Sequence, residues 1–290
     1  MAERMVKLTT VDQAVAQIPD GARIVLGGFS VYQRPMAAVH ALIRAGKKDL
    51  TVIGVINSIE TDMLIGAGAV RKVETSYVGL ERFGLAGNFR RAMQSGRLEV
   101  EYYSEMMAWD RLRADREGME FWPAAYLNGT DLIKTNPNLK SIISPFSGRE
   151  LWLVPAANAD YALIHAYAGD QYGNLQHQER IGMPQTVDFD SARGAKKVIA
   201  TVEHLLDEVT VQEHTDRTIV PAFKTTALAH VPNGAHPTQT LDSTAIDGKF
   251  FTEYAEASKS EDTFRAFLDR YIYGTANFEE YLALAGRTGR

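Results

Sequence analysis

The chain contains no cysteine among its 290 residues, and this absence removes several kinds of chemistry. Disulfide bonds, a thiol nucleophile and a zinc ion held by cysteines are all excluded. No apolar run is long enough to span a bilayer, and the first residues, MAERMVKLTT, lack the apolar core of a secretory signal. We therefore expect a cytoplasmic protein that has no membrane partner.

Basic charge and metal-ligand spacings are also missing. The formal net charge is -5 and the pI about 5.8, with no basic stripe, which argues against nucleic acid as a partner. None of the seven histidines lies in an HExxH or comparable spacing, so we expect no metal site. No GxGxxG turn with an acidic follow-up is present, which argues against a nicotinamide cofactor.

Short apolar runs alternate with helical segments along the chain. This alternation predicts an α/β fold with an open, doubly wound, mostly parallel sheet that has helices on both faces. No linker stands out, so we expect a single domain over residues 1–290 with a helical extension from about residue 251. The predicted strands are 24–26, 50–55, 75–78, 98–102, 151–154, 161–165, 198–202 and 223–231. The predicted helices are 11–18, 36–45, 62–66, 87–95, one from 104–105, and 251–284, and residues 205–210 are predicted as a short helix or a turn.

The stretch IVLGGFSVYQRPMAAV, residues 24–39, is the strongest local signal for a site. A buried strand runs into Gly27 and Gly28, and Pro35 suits the first turn of the following helix. Bare glycine backbone before a helix N-terminus suits an anion or a developing negative charge. Gly27, Gly28, Phe29 and Ser30 are therefore candidates for an oxyanion site made of backbone N–H groups, the alternative being a tight turn without a ligand.

Several motifs spread over nearly the whole chain resemble one family. They are GGFSVYQRPMAAV (27–39), DMLIGAG (62–68), FRRAMQSGRLEVEYYSE (89–105), ADYALIHAYAGDQYGN (159–174), GAHPTQ (234–239) and YAEASKSEDTFRAFLDRY (254–271). With these motifs the chain resembles the α subunit of class I CoA-transferases, and within them the α subunit of the glutaconate CoA-transferases.

The resemblance implies a CoA-transferase/NagB-like fold and a homologous β subunit with which this chain forms a heteromer. It implies the transfer of CoA from an acyl-CoA to a second carboxylic acid, for which a dicarboxylic acid is one option. A glutamate attacks the thioester, and a mixed anhydride and then a glutamyl-CoA thioester follow. In the glutaconate-type enzymes that glutamate belongs to the β subunit. Coenzyme A enters as substrate, and no permanently bound cofactor is expected.

Glu105, in YYSEMM, departs from the glutaconate pattern, where a glutamine stands. A related branch of the family carries a glutamate there and uses it to open CoA-linked steroid rings by hydrolysis. Glu105 is thus a candidate nucleophile or general base, and its alternative is a carboxylate favoured by the N-terminus of a helix. Three hypotheses remain open: a CoA-transferase subunit, a ring-opening hydrolase subunit, and a CoA-ester-binding subunit without catalysis.

The remaining candidates are polar residues near the expected carboxyl edge of the sheet, where open α/β folds bind ligands. Ser30 and Arg34 are predicted to contact a substrate carboxylate or a CoA phosphate, with a surface cation as the alternative for Arg34. Secondary candidates are Asn57, Ser58, Glu60, Glu81 and Arg82. His165 and His236 are interpreted as histidines that organise loops, although His165 could also relay a proton.

Overall fold

The computed structural model describes residues 4–287, and the two ends of the predicted 1–290 domain lie outside the described residues. No helix within that range is long and apolar enough to cross a membrane. The helices are α1 (Val11–Ala16), α2 (Met36–Arg44), α3 (Ile59–Gly66), α4 (Gly87–Gln94), α5 (Glu105–Arg116), α6 (Leu132–Thr135), α7 (Met183–Gly194), α8 (Glu208–Glu213), α9 (Gly248–Ala257), α10 (Glu261–Leu268) and α11 (Phe278–Leu284).

Most of the strands belong to one large sheet. The strands are β1 (Arg23–Leu26), β2 (Leu50–Ile53), β3 (Ile56–Asn57), β4 (Val70–Thr75), β5 (Tyr77–Val78), β6 (Glu99–Tyr102), β7 (Phe121–Ala124), β8 (Lys140–Ile143), β9 (Glu150–Pro155), β10 (Tyr161–Asp170), β11 (Leu175–Gln176), β12 (Lys197–Leu206), β13 (Thr218–Val220) and β14 (Thr225–His230). Seven of those described run parallel in the order β14-β12-β10-β1-β2-β4-β6, and β11 and β13 extend β10 in antiparallel pairing.

The order of the strands reverses between β1 and β10. From β1 the chain builds outward through β2, β4 and β6, and from β10 it builds the other way through β12 and β14. Ile24 of β1 pairs with Tyr161 of β10, and the Gly27 N–H still donates to Leu163 O at 2.8 Å beyond the strand. The glycine turn therefore lies at the topological switch point, where such sheets bind ligands.

Each face of the large sheet carries its own apolar core. Helices α1 to α3 and the C-terminal helices α9 to α11 pack on one face. Helices α5 and α7 and a small antiparallel sheet of β7, β9 and β8 pack on the other. The predicted doubly wound α/β fold with helices on both faces is confirmed.

Several local predictions were wrong. Residues 128–148, to which the sequence analysis assigned no helix or strand, contain α6 and β8. The predicted strand 151–154 joins the small sheet instead of the large one. The predicted strand at 75–78 is split, because β4 begins earlier at Val70 and ends at Thr75. The predicted C-terminal helix 251–284 is broken into three helices and a π-helical turn, Asp269–Tyr273. Helix α7 was not predicted.

Candidate active site at the carboxyl edge of the sheet

The two glycines of the turn are required by space. A Cβ on Gly27 would lie 2.2 Å from Asp188 Oδ1 and 2.7 Å from Ile164 Cγ2. Gly28 has φ +78°, and a Cβ there would lie 2.5 Å from the carbonyl oxygens of Tyr32 and Gln33. Any side chain at either position would displace backbone or a buried carboxylate, so the turn keeps this shape only with glycine.

The N–H groups of the turn already have acceptors. Gly27 donates to Leu163 O at 2.8 Å, Phe29 to Tyr32 O at 3.0 Å and Ser30 to Ile56 O at 3.1 Å. The Gly28 N–H donates to Asp188 Oδ1 at 2.8 Å. Each of these four N–H groups is directed at an acceptor within the chain, and their predicted use as oxyanion donors stays a prediction.

Arg34 is buried, with 1% of its surface exposed, and its guanidinium holds the carbonyl groups of the turn. Nε donates to Ser30 O at 2.8 Å, and Nη1 donates to Gly27 O at 3.0 Å and to Gly28 O at 3.3 Å. Nη2 donates to the carbonyl of Ile56, and Glu60 Oε2 lies 3.3 Å from Nε. The donors of Arg34 are used inside the protein, and its predicted contact with a substrate carboxylate or a CoA phosphate stays a prediction.

Ser30 and Glu81 meet beside the glycine turn. Ser30 Oγ donates to Glu81 Oε1 at 2.6 Å. Ser30 has φ +53° and Glu81 has φ +52°, a conformation that costs on the order of 1 to 3 kcal/mol for a residue other than glycine. Arg82 is directed elsewhere, because its guanidinium lies 4.9 Å from the ring of Phe83.

Asn57, Ser58 and Glu60 lie buried beneath the turn. Asn57 Nδ2 donates to Thr61 Oγ1 at 2.8 Å, and its Oδ1 accepts from Thr75 Oγ1 at 2.7 Å. The Glu60 carboxylate accepts the Ser58 N–H at 2.9 Å. Within the described part of the chain Ser58 Oγ has no hydrogen-bond partner. These residues support the turn and β3, and their side chains are closed off from solvent.

Glu105 is the first residue of α5 and its side chain is exposed. Ser104 caps the helix, accepting the Met107 N–H at 3.3 Å, which confirms the predicted helix start. Strand β6, which leads to Glu105, lies three strands from β1, but α5 returns toward the glycine turn. Trp109, one helical turn after Glu105, stacks on Phe29 with centroids 6.4 Å apart and an interplanar angle of 21°. The structure thus joins the helix of Glu105 to the turn.

Asp188, on α7, is the residue at this site that the sequence analysis missed. It is fully buried, and besides the Gly28 N–H it accepts Gln33 Nε2 at 3.4 Å. Burial raises the pKa of Asp188 to about 7, against the Gly28 hydrogen bond, the charge of Arg34 and the Gln33 contact, which lower it. The start of α7 had a sequence signal in Pro184, but Gln185 and Asp188 on its buried face hid the apolar period.

The two highlighted histidines both have structural partners. His165 lies in β10, where Nδ1 is 2.8 Å from Thr201 Oγ1 and Nε2 is 3.2 Å from Glu203 Oε2. These partners belong to the neighbouring strand β12 and not to a loop backbone. His236 bridges Tyr281 and Asp247, at 2.7 Å and 3.2 Å. No group of three or more His, Asp or Glu residues able to hold a metal is found within residues 4–287.

Comparisons with known proteins agree with this architecture. The family model described as Coenzyme A transferase matches residues 8–227. The corresponding subunit of 3-oxoadipate CoA-transferase from Pseudomonas knackmussii is 33% identical over 283 residues, covering 96% of this chain and 98% of its own. The IpdA subunit of a cholesterol ring-cleaving hydrolase from Rhodococcus jostii is 29% identical, covering 95% of each chain. The crystal structure of glutaconate coenzyme A-transferase from Acidaminococcus fermentans superposes with a TM-score of 0.90 at 28% identity, covering 97% of this chain and 93% of that one.

Proposed function

The chain belongs to the coenzyme A transferase family, and on this premise we propose that it is the α subunit of an enzyme that transfers CoA between an acyl-CoA and a dicarboxylic acid. The observation that carries the proposal is the similarity along nearly the whole chain to the corresponding subunit of 3-oxoadipate CoA-transferase. Both 3-oxoadipate and glutaconate, the acids in the names of two relatives, are dicarboxylates. The resemblance that the sequence motifs indicated is confirmed.

The proposed reaction needs a glutamate carboxylate supplied by a homologous β subunit. That carboxylate attacks the thioester carbonyl, and the C–S bond breaks to release CoA thiolate and leave a mixed anhydride. The thiolate then attacks the enzyme's acyl carbon, releases the first carboxylic acid and forms a glutamyl-CoA thioester. The second acid repeats the two steps in reverse, so atoms and charge balance without a cofactor.

In this proposal the described residues of the chain form one wall of a site shared between the two subunits. Phe29, half-buried and stacked on Trp109, and the pair of buried Ser30 with exposed Glu81 form the part of that wall nearest the solvent. Gly27, Gly28 and Arg34 hold the wall in shape from below, and Asn57 and Ser58 support it. We also propose the cytoplasm as the location, which cell fractionation of the tagged chain would test.

Ring-opening hydrolysis is the second candidate, and the position of Glu105 favours it. The carboxylate is exposed at a helix N-terminus, and its helix contacts the glycine turn through Trp109 and Phe29. A carboxylate so placed is able to serve as a general base toward a CoA ester in the crevice. The relative IpdA subunit, 29% identical, carries the name of such a hydrolase.

The test is a reconstitution of the chain with its β subunit, followed by assays with glutaryl-CoA and a panel of acceptor carboxylates. Transfer requires that CoA loss depends on the acceptor and that borohydride or hydroxylamine traps a glutamate, located by mass spectrometry. CoA chemistry without an acceptor and without a trapped glutamate would overturn the transferase proposal. An assembled pair that binds the ester but does not react would favour a binding subunit.

Glu105→Gln separates the two catalytic candidates. If the nucleophile lies in the β subunit, transfer continues at a similar rate, whereas hydrolysis through Glu105 would be lost. Glu117→Gln is the matched control, since Glu117 is an exposed glutamate at the other end of α5. Both variants are expected to fold normally, because neither side chain is buried in the chain.

A further inference from the structure

Asp188 lies directly against the glycine turn at the switch point. Its Oδ1 accepts the Gly28 N–H at 2.8 Å and sits where a Cβ on Gly27 would be. Its Oδ2 accepts the Gln33 amide at 3.4 Å, and Gln33 Oε1 accepts Gln185 Nε2 at 2.7 Å. One carboxylate thus contacts the beginning of the turn and, through Gln33, its end.

The turn needs contacts from outside it, because two of its residues have an unfavourable backbone conformation. Ser30 has φ +53° and Gln33 has φ +55°, and neither is a glycine. Such conformations persist only when the surroundings fix them. Arg34 fixes the carbonyl oxygens of the turn, and Asp188 fixes the N–H of Gly28 and the side chain of Gln33. Together they leave Phe29 and Ser30 directed at Trp109 and Glu81.

Few charges act on Asp188. Arg34 is the charged group that lowers the pKa of Asp188, but its donors are bound to carbonyl groups and to Glu60. On the α5 side, Arg116 pairs with Asp190 of α7 at 2.5 Å, and His165 belongs to the opposite face of β10 because side chains alternate along a strand. A neutral residue would therefore make the buried site more favourable for folding, and the carboxylate lowers stability where it stands.

We propose that Asp188 is a positioning residue for the reaction, which acts by holding the glycine turn so that Phe29 and Ser30 face the acyl-CoA. This role deepens the proposed function and rests on it. It assigns to α7, a helix outside the crevice rim, part of the control over the geometry of the site. It also explains why a residue that destabilises the fold occupies this place, because strain and unfavourable charge concentrate at functional sites.

The first test reports on the turn and does not need activity. Gly27-Gly28 is the only Gly-Gly pair in the sequence. Labelling this chain with [1-¹³C,¹⁵N]glycine and pairing it with an unlabelled β subunit therefore gives one amide, that of Gly28, whose nitrogen is bonded to a labelled glycine carbonyl. We expect the Gly28 resonance to move with pH, with a midpoint near that of Asp188, which is about 7. In Asp188→Asn the same resonance should not move over this range.

The second test measures the reconstituted enzyme. Asp188→Asn should lower kcat by about 10²-fold, as expected for a slightly misplaced site, with KM nearly unchanged and with higher stability at pH 8. The double variant Asp188→Asn with Gln33→Glu restores the hydrogen bonds between positions 188, 33 and 185. The carboxylate introduced at position 33 accepts from the amide introduced at position 188 and from Gln185. We expect it to recover most of kcat.

Asp190→Asn is the matched control on the same helix. Asp190 is buried like Asp188 but pairs with Arg116 instead of the turn. Its replacement should leave the Gly28 resonance and kcat unchanged. An Asp188→Asn variant that keeps the wild-type Gly28 resonance, or that moves it while retaining full kcat, would overturn the positioning role. The resonance result stands whether or not the enzyme transfers CoA, so failure of the proposed function is distinguished from failure of this inference.

Discussion

Asp188 and Glu74 are both buried carboxylates of one sheet-based core, but their surroundings shift their pKa values in opposite directions. The Glu74 carboxylate, in β4, accepts hydrogen bonds from Arg23 Nη1 at 3.0 Å and Nη2 at 2.8 Å. It also accepts one from Arg111 Nη2 at 2.6 Å. Burial alone would raise the pKa of Glu74, yet the two guanidinium groups outweigh it and lower the pKa to about 2. Asp188 receives one backbone N–H and a long amide contact, and its pKa rises to about 7.

The difference lies in what the nearest guanidinium is bound to. Arg23 and Arg111 donate directly to the Glu74 carboxylate, so the pair is satisfied and rigid. Arg34 lies near Asp188 but donates to the carbonyl groups of Gly27, Gly28, Ser30 and Ile56. Glu74 therefore forms structural ion pairs with Arg23 and Arg111 that join β1, β4 and α5. Asp188 is instead a buried carboxyl group beside the glycine turn, and no guanidinium of the described residues donates to it directly.

The largest expected effect is that Asp188 lowers the free energy of unfolding as the pH rises. The folded chain keeps the Asp188 proton up to about pH 7, while the unfolded chain releases it near pH 3.8. The free energy of unfolding therefore falls as pH rises through that window and is level above it. The three pH units amount to about 4 kcal/mol. Urea unfolding of wild type and Asp188→Asn from pH 4 to 8 should show this difference, and parallel curves would refute it.

A somewhat smaller effect of opposite sign is expected at Glu74. Its folded pKa of about 2 lies below the unfolded value of 4.5, so its stabilisation is present above pH 4.5 and is lost as pH falls toward 2. Glu74→Gln should cost about 3 kcal/mol at pH 7, because two buried guanidinium groups lose their partner. Glu256→Gln is the control, since the exposed Lys259–Glu256 pair contributes less than about 1 kcal/mol. Equal losses in the two variants would show that the Glu74 cluster is not special.

The smallest effect is expected from Glu60→Gln, which should move the pKa of Asp188 toward the low pKa of Glu74. Removing the Glu60 charge leaves Arg34 without its ion pair, so the guanidinium attracts Asp188 more strongly. The pKa of Asp188 should fall by about one unit, worth about 1.4 kcal/mol. The readout is the midpoint of the Gly28 resonance against pH, which a general loss of stability does not move. An unchanged midpoint would mean that Glu60 does not weaken the effect of the Arg34 charge on Asp188.

Local signals in the sequence predicted much of the fold. An apolar run before Gly27-Gly28 and Pro35 located β1, the turn and α2, and Ser104 located the start of α5. Interactions between distant segments could not be predicted in this way. Glu74 meets Arg23 and Arg111 across 51 and 37 residues, and Asp188 meets Gly28 across 160.

Helix α7 and strand β8 were not predicted from the sequence, and the reason is the same for both. Helix α7 places Gln185, Asp188 and Asp190 on its buried side, and β8 is exposed throughout, so neither shows the usual apolar pattern. Arg34 was predicted to contact a ligand because an arginine beside a glycine turn suits an anion. In the structure its guanidinium donates to carbonyl groups of the chain itself. The roles of Gly27, Gly28, Phe29, Ser30 and Glu105 stay predictions until the enzyme is assayed.

The small antiparallel sheet has a practical consequence for handling this chain. Strand β8 forms one of its edges, Ile143 is 66% exposed there, and Phe146 in the next turn is 98% exposed. An uncovered strand edge with apolar side chains is a template for adding another strand. We therefore expect isolated chains to associate through this edge when they are concentrated, which light scattering of the concentrated chain would detect.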